Sequence, residues 1–211
     1  MLLTVVDYGV GNLRSIAKSI EKANSDNNFN YSVKVSSDVN DVKKSDKIVL
    51  PGQGSFKACK DGIDKIIGLQ QALNESVLVK KKPIYGICAG MQLFATTGYE
   101  EEKTAGLNWI PGKVIKLDLG LSKLKIPHMG WNELKVENAS NVFKEVINKD
   151  HAYFIHSYEF IPEDKKVISL TSNYGKDVMA AVSSENIYGS QFHPEKSQNT
   201  GLKILTNFLN L

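Results

Sequence analysis

The chain has 211 residues, 42% of them hydrophobic and 23% charged, and its formal net charge is only +3. This length and apolar content can bury one substantial core, so we expect a single domain spanning residues 1–211. The lysines are scattered, which excludes the basic patch of a nucleic-acid-binding protein, and no apolar stretch reaches the roughly 20 residues of a membrane span.

The first half of the chain alternates strand patterns with helix patterns. Strands are predicted at residues 2–6, 31–35, 47–50 and 84–87. Helices are predicted after residue 12, from residue 55, over 66–79 and over 91–95. This alternation predicts an α/β fold with a mixed, mostly parallel sheet and flanking helices, whose functional groups gather at the carboxyl ends of the strands.

The second half is rich in short strands and is expected to be partly antiparallel. Strands are predicted at residues 108–117, 130–136, 153–160, 166–171, 178–183 and 187–192, and a helix at 141–147. A final amphipathic helix should dock on the sheet through Leu202, Leu205, Phe208 and Leu209.

A candidate nucleophile lies in the stretch Pro83 to Phe94, which reads PIYGICAGMQLF. An apolar strand runs through small residues directly into a helix-forming segment, with Cys88 at the tip, which is the layout of a nucleophile elbow. The amino end of the following helix favours the thiolate over the thiol. We interpret Cys59 as a small buried hydrophobe. Because the amino-terminal segment MLLTVVDYG lacks the features of a signal peptide, we expect a cytoplasmic protein with two free thiols.

His193 and Glu195 are the candidate base and its orienting group. They lie two residues apart at the end of a predicted strand, and Pro194 between them favours an extended backbone. In that conformation both side chains lie on the same side of the chain. The imidazole would face Cys88 while the carboxylate accepts a hydrogen bond from its other nitrogen.

Two main-chain N–H groups are candidates for an oxyanion site. The loop Pro51-Gly52-Gln53-Gly54 follows a strand that should lie near the Cys88 strand, and its glycines let the N–H of Gly52 or a neighbour approach an oxyanion. The N–H of Ala89 is the second candidate donor, by analogy with other elbows.

No metal or cofactor is expected. His128, His151 and His156 have no metal-ligand spacing with one another or with either cysteine. The loop Asp7 to Asn12 has only two glycines of the dinucleotide-binding pattern and no clearly placed acidic residue downstream.

Six segments together resemble the class I, or triad, glutamine amidotransferases. Two carry the family signature, at residues 85–92 and 191–197; four others, at 6–13, 50–56, 127–132 and 153–158, resemble one branch, the glutaminase subunits of imidazole glycerol phosphate synthase. Of these, Pro127-His128-Met129-Gly130-Trp131-Asn132 separates the branch best. The resemblance covers nearly the whole chain and implies a flavodoxin-like sheet.

The resemblance also implies an activity in two parts. Cys88 would attack the side-chain amide of L-glutamine, His193 and Glu195 would manage the protons, and a thioester would be hydrolysed to glutamate. The ammonia would pass to a cyclase subunit, a (β/α)₈ barrel that forms a heterodimer with this chain in histidine biosynthesis.

The same matching implies two further groups of site residues. Those that would hold glutamine are Gln92, Glu100, Ser157 and Tyr158. Those at the partner face or the ammonia exit are Asn12, Trp131, Tyr153 and Lys196.

Three residues depart from the family pattern. The family usually has Leu in place of Ala89, Val in place of Gln53 and often Ala in place of Ser55. Ala89 keeps its N–H. Gln53 either adds a hydrogen bond near the oxyanion loop or alters how readily the loop turns its N–H inward.

Three other functions are consistent with parts of the pattern. A class I glutaminase serving another acceptor would have no reason to carry residues 127–132. A cysteine peptidase or amidase on a related fold would not need His-Pro-Glu after its last strand. A non-catalytic interaction module would not need Cys88, His193 and Glu195 together.

Overall fold

The computed structural model describes residues 1–138 and 140–211. The strands are β1 (Leu2–Val6), β2 (Ser32–Ser36), β3 (Lys47–Leu50), β4 (Ile84–Ile87), β5 (Thr97–Gly98), β6 (Thr104–Ala105), β7 (Gly112–Lys116), β8 (His128–Glu133), β9 (Lys135–Val136), β10 (His151–His156), β11 (Tyr158–Pro162), β12 (Ile168–Asn173), β13 (Asp177–Ser184) and β14 (Ile187–Ser190). The α-helices are α1 (Leu13–Asp26), α2 (Val39–Lys44), α3 (Phe56–Lys65), α4 (Leu69–Asn74), α5 (Ala89–Gln92) and α6 (Gln198–Leu209).

The central sheet has eight strands in the order β2-β1-β3-β4-β14-β13-β12-β9. Its first five strands are parallel and the remaining three pairings are antiparallel. A two-stranded ribbon of β8 and β10 and a four-stranded sheet, β11-β7-β5-β6, complete the second half. The predicted mixed, mostly parallel sheet with a strand-rich second half is therefore confirmed.

The sheet is buried on both faces because its strands place apolar side chains alternately on either side. On β3, Ile48 and Leu50 join one core, which α3 and α4 cover, whereas Val49 points into the other. The second core lies under α1 and α6, which contribute Ile20 and Phe208. Both layers of helices thus rest on largely apolar strand faces, in which the buried polar side chains Thr4 and Lys47 are hydrogen-bonded.

The prediction of a helix at residues 141–147 is wrong. The segment forms successive turns, with hydrogen bonds from Phe143 N to Ser140 O and from Val146 N to Phe143 O. Its carbonyl at Val142 accepts a hydrogen bond from the Asn207 side chain on α6. The helix-like spacing of its apolar residues reflects burial against α6 rather than helix formation.

The fold brings three loops to one edge of the sheet. β3, β4 and β14 are parallel neighbours, so the chain leaves all three at the same edge. The loop at Pro51, the turn at Cys88 and the segment from Gln191 therefore converge, as expected for a site at the carboxyl ends of parallel strands. None of the described helices is long and apolar enough to cross a membrane.

Candidate active site

Cys88 lies at the tip of a strained turn between β4 and α5. Its φ of 53° and ψ of −116° are unusual for a residue with a side chain, and its N–H donates to Ser190 O at 2.7 Å. A Cβ at Gly90 would lie 2.1 Å from Leu50 O, so only glycine allows this approach. The predicted elbow geometry is confirmed. Because α5 has only four residues, its dipole gives the thiolate little support.

His193 and Glu195 are paired as predicted. The imidazole Nδ1–H donates to Glu195 Oε1 at 2.9 Å, and both side chains are buried. The expected extended backbone is wrong, because Pro194–Lys196 forms a 3-10 turn. α6 packs directly over this turn, since a Cβ at Gly201 would lie 1.8 Å from Pro194 O. The tight turn, rather than strand geometry, places the carboxylate beside the ring.

The environment of His193 favours the imidazolium. Burial lowers the pKa of His193, but the adjacent Cys88 thiol and Glu195 carboxylate outweigh burial and raise the pKa to about 9. The residue can therefore hold a proton taken from the thiol. Both polar main-chain groups of His193 are hydrogen-bonded. Its N–H donates to Tyr153 O, and its carbonyl accepts from the Ser197 hydroxyl.

The sulphur of Cys88 has two further polar neighbours that sequence reasoning did not assign. Gln191 Nε2 lies 3.6 Å from Sγ, and the carbonyl oxygen of Ile155 lies 4.0 Å from it. Gln191 stands inside the quoted family signature, but nothing in that signature says where its amide points. Ile155 reaches the thiol because β10 passes over the elbow.

A cleft of about 220 Å³ opens at Cys88. Its walls include most of the predicted residues: Cys88, Ala89, Gln92, Glu100, Ser157, Tyr158, His193 and Lys196. Gln53, Gly54, Ile155 and His156 also line it. The cleft is smaller than the roughly 300–1,000 Å³ of drug-sized sites, which suits a small polar substrate. The other predicted residues lie outside its walls: Glu195, Gly52, Asn12, Trp131 and Tyr153.

Glu100 is anchored at the start of α3. Its Oε2 accepts a hydrogen bond from Phe56 N at 2.7 Å. Burial raises the pKa of Glu100, and this hydrogen bond opposes the shift. Ser55 caps the same helix, its hydroxyl accepting from Ala58 N at 3.2 Å. The departure at Ser55 therefore has a structural role, because a Ser cap stabilises a helix by about 1 kcal/mol relative to Ala.

The loop at residues 51–54 packs against the elbow. A Cβ at Gly52 would lie 1.9 Å from Gly90 N. The Tyr8 hydroxyl donates to Pro51 O, and the Cys59 thiol donates to Gln53 O at 3.7 Å. These contacts hold two carbonyls of the loop. The oxyanion role of the Gly52 N–H stays a prediction; its neighbour Gln53 is the loop residue that lines the cleft.

A buried histidine pair lies behind the cleft. His156 Nδ1–H donates to Tyr158 O at 2.9 Å, and His128 Nδ1 lies 3.0 Å from His156 Nε2. Burial lowers the pKa of both rings to about 4, with help from neighbouring histidines. Both are therefore neutral at pH 7, and His128 Nδ1–H donates to His156. The Asn132 side chain in turn donates a hydrogen bond from Nδ2 to His128 Nε2 at 3.1 Å.

The pair has no third candidate metal ligand beside it among the described residues. In the described part of the chain, no group of three or more His, Cys, Asp or Glu side chains could hold a metal ion. Sequence spacing did not reveal the pair, because it depends on the register between β8 and β10, which sets His128 opposite His156.

The outer face of the ribbon carries an apolar patch, which we call the ribbon patch: Met129, Trp131, Tyr153 and Ile155. The register sets Tyr153 opposite Trp131 and Ile155 opposite Met129, so all four share one face. Trp131 is 47% exposed, and its ring meets that of Tyr153 edge to face. Met129 and Ile155 were not among the predicted interface residues.

Lys196 contacts the ribbon patch, whereas Asn12 lies in a loop that contacts the loop at Pro51. Lys196 Nζ lies 5.6 Å from the centre of the Tyr153 ring, which links the ribbon patch to the cleft wall. Asn12 is exposed at the start of α1. The loop before it contacts the loop at Pro51, since a Cβ at Gly11 would lie 3.0 Å from Pro51 Cβ.

Comparison with known proteins gives matches along nearly the whole chain. Residues 4–211 match the family Glutamine amidotransferase class-I. The chain is 51% identical over 211 residues to imidazole glycerol phosphate synthase subunit HisH of Pelagibacter ubique, with 100% of both chains covered. It is 42% identical to the subunit of the same name from Cereibacter sphaeroides, with 99% of this chain and 98% of the relative covered. A crystal structure of a glutamine amidotransferase shares its fold, with a TM-score of 0.73, 15% identity and 99% of each chain covered.

Proposed function

Because the chain belongs to the class I glutamine amidotransferase family, we propose that it is the glutaminase subunit of an imidazole glycerol phosphate synthase. It hydrolyses glutamine to glutamate and passes the ammonia to a cyclase subunit, in the cytoplasm and as one domain of 211 residues. The names of the full-length relatives support this assignment. The observation that carries the chemistry is the 2.9 Å hydrogen bond between His193 Nδ1–H and Glu195 Oε1, on a ring that lines the same cleft as Cys88.

The first half of the reaction is acyl transfer to sulphur. His193 accepts the thiol proton, and the Cys88 thiolate forms a bond to the side-chain amide carbon of glutamine. The electron pair of the amide C=O moves onto oxygen. When it returns, the C–N bond breaks and His193 gives its proton to the nitrogen, which leaves as ammonia. The product on the enzyme is a γ-glutamyl thioester.

The second half is hydrolysis of that thioester. Water loses a proton to His193 and its oxygen bonds to the thioester carbon. The C–S bond then breaks, sulphur regains the proton and glutamate leaves. Glu195 holds Nδ1–H throughout, so that Nε2 is the nitrogen left to exchange protons. The Ala89 N–H and an N–H from the loop at Gly52 or Gln53 stabilise the negative oxygen in both halves.

The cleft walls suit the remainder of the substrate. Glu100 supplies a carboxylate for the α-ammonium group of glutamine, at a position fixed by Phe56 N. Gln92, Ser157 and Tyr158 line the adjoining wall with polar groups. The site thus holds both ends of an amino acid while its side-chain amide lies at Cys88.

The ribbon patch is the face that we propose for the cyclase, a (β/α)₈ barrel in a heterodimer. β10 connects this face to the chemistry, since Ile155 contributes its side chain to the patch and its carbonyl oxygen lies 4.0 Å from the sulphur. Trp131 is the anchor, because large amphipathic rings contribute most to such interfaces. Our proposed exit for ammonia passes Lys196 and Tyr153, because Lys196 lines the cleft and its Nζ lies 5.6 Å from the centre of the Tyr153 ring. Asn12 extends the contact area.

A trapping experiment tests the thioester directly. Acid quenching during turnover, followed by intact-mass measurement, should reveal a γ-glutamyl adduct on the wild-type chain and none on Cys88→Ala. Cys59→Ala is the matched control, because it removes the other thiol and should keep the adduct. An adduct that persists in Cys88→Ala would contradict the assignment of the nucleophile.

A further inference from the structure

The amide of Gln191 has no role in the mechanism described so far. Gln191 follows β14 directly, and its side chain is completely buried against the elbow. Its main-chain N–H donates to Ala180 O at 2.8 Å, so the backbone is fixed by β13. Its Nε2 lies 3.6 Å from Cys88 Sγ.

The orientation of this amide follows from a neighbouring carbonyl. Gln92 Nε2 lies 2.9 Å from Tyr158 O, and a carbonyl oxygen only accepts, so the atom that faces it must be the nitrogen. The same nitrogen lies 2.8 Å from Gln191 Oε1. The oxygen of Gln191 is therefore turned toward Gln92, which leaves its NH₂ group facing the sulphur.

Tyr158 O is itself held in place from behind. It also accepts from His156 Nδ1–H, and His128 fixes the tautomer of His156. The Tyr158 carbonyl therefore orients the amide of Gln92, and Gln92 in turn orients the amide of Gln191. As a result, the sulphur faces a hydrogen-bond donor and not an acceptor. A reversed amide at either glutamine would set two oxygens or two nitrogens against each other.

We propose that Gln191 is a further catalytic residue: its Nε2–H donates a hydrogen bond to the Cys88 thiolate, which stabilises the nucleophile and fixes its direction of attack. A hydrogen bond donated to the thiolate favours this charged form over the thiol, and the amide that donates it is itself neutral. This role complements the role of His193. The charge of His193 changes during the reaction, whereas Gln191 stays neutral. The short helix α5 adds little to this stabilisation, because its dipole is small.

Other titratable groups near the sulphur do not supply this stabilisation. Burial raises the pKa of Tyr8 well above its ordinary value and that of Cys59 to about 11. Both are neutral near pH 7, so neither adds a charge beside the sulphur; His193 and Lys196 are the basic side chains on the walls of the same cleft. The hydrogen bond from Gln191 is thus separable from the charge of His193 by experiment.

Alkylation of Cys88 by iodoacetamide across a pH series measures the thiolate directly. The variant Gln191→Met keeps the length of the side chain and removes the donor. We expect its midpoint of alkylation to move up by about one pH unit, the effect of losing one hydrogen bond to an ion. The rate at pH values below the midpoint should fall about tenfold, with the same plateau at high pH. Cys88→Ser measures the background from Cys59.

Two further variants make the result specific. Asn207→Leu removes another buried amide, far from the sulphur, and should leave the midpoint unchanged. Gln92→Met does not touch the sulphur but removes the group that orients Gln191, so the midpoint should rise by less than in Gln191→Met. If Gln191→Met does not fold, by near-ultraviolet circular dichroism, Gln92→Met decides the question.

An unchanged midpoint in a folded Gln191→Met, or in Gln92→Met where that variant must decide, would overturn the proposal. The inference rests on the proposed function for the reaction it serves, yet the two can fail separately. Glutaminase turnover with no midpoint shift would remove Gln191 and leave the function intact. A midpoint shift in a protein that releases no glutamate would keep the contact and reject the function. In an active enzyme we expect Gln191→Met to lower kcat about tenfold with little change in KM.

Discussion

The Nδ1–H of His193 donates to the Glu195 carboxylate at 2.9 Å, and the second carboxylate oxygen has no hydrogen-bond partner among the described residues. The His193 ring is therefore the one hydrogen-bond donor to the Glu195 side chain among the described residues. This contact fixes which nitrogen carries the proton and is one reason why the pKa of His193 rises to about 9.

Glu195→Gln keeps the shape of this contact and removes its charge. We expect kcat for glutamate release to fall by about two to four orders of magnitude, because an amide can hold the wrong tautomer of the ring. The pKa of His193 should fall at the same time. A pH–rate profile with the same alkaline limb as wild type would contradict this role of Glu195.

The histidines give protein stability two opposite pH dependences. The pKa of His193 is raised from 6.5 to about 9 in the folded state, so its contribution is complete below pH 6.5 and is lost as pH rises to about 9. The pKa values of His128 and His156 are lowered to about 4. Their contribution is complete above pH 6.5 and is lost as pH falls toward 4. Among these three groups, stability should therefore be greatest near pH 6.5.

Urea unfolding at a series of pH values separates the two limbs. His128→Phe should reduce the slope between pH 4 and 6.5 by up to about 1.4 kcal/mol per pH unit, the effect of one proton. His193→Ala should flatten the limb between pH 6.5 and 9 and change the acid limb much less, because the charge of His193 is only the smaller cause of the lowered pKa of His156. Equal slopes in wild type and His128→Phe would show that the pair does not titrate as described.

Gly52→Ala tests the packing between the oxyanion loop and the elbow. The new Cβ would lie 1.9 Å from Gly90 N, a backbone atom that cannot yield without displacing Cys88. We expect a loss of roughly 3 kcal/mol in unfolding free energy, at the upper end for overpacking, together with a lower kcat. Ser55→Ala is the control in the same loop: it removes only a helix cap, at a cost of about 1 kcal/mol. Equal effects of the two variants would reject the close approach.

Trp131→Ala tests the ribbon patch as the partner face. An interface anchor costs about 2 kcal/mol or more on truncation, so the dissociation constant for the cyclase should rise at least about 30-fold. Stability of the free chain should barely change, because the ring is 47% exposed. Ile67→Ala is the control, since this residue is 95% exposed just beyond α3, at the end of that helix remote from the loop 51–54. Calorimetric titration that gives equal affinities for wild type and Trp131→Ala would remove the residue from the interface.

The sequence could reveal features that depend on neighbouring residues. It could not reveal features that depend on packing between distant segments. The elbow was predictable because Gly86 and Gly90 are required within a few residues of Cys88, and the parallel strands because helices separate them. The turn at Pro194–Lys196 was not, because packing of α6 over it selects the 3-10 form.

The histidine pair and the complete ribbon patch were beyond sequence reasoning for a different reason. Alternation within β8 indicates that His128 and Trp131 lie on opposite faces of the ribbon. Only the pairing of β8 with β10 determines that they lie opposite His156 and Tyr153. The direction of the Gln191 amide depends on contacts among three segments, which carry Gln191 itself, Cys88 with Gln92, and Tyr158. Side-chain direction in such a network has no local signature.

The central claim is tested most directly by glutamate release from glutamine, with the chain alone and with a cyclase subunit and its nucleotide ligand. We expect release that depends on Cys88, rises in the presence of the liganded cyclase and is lost in Cys88→Ala, whereas Cys59→Ala retains it. No release under either condition, or equal release by wild type and Cys88→Ala, would contradict a cysteine-dependent glutaminase.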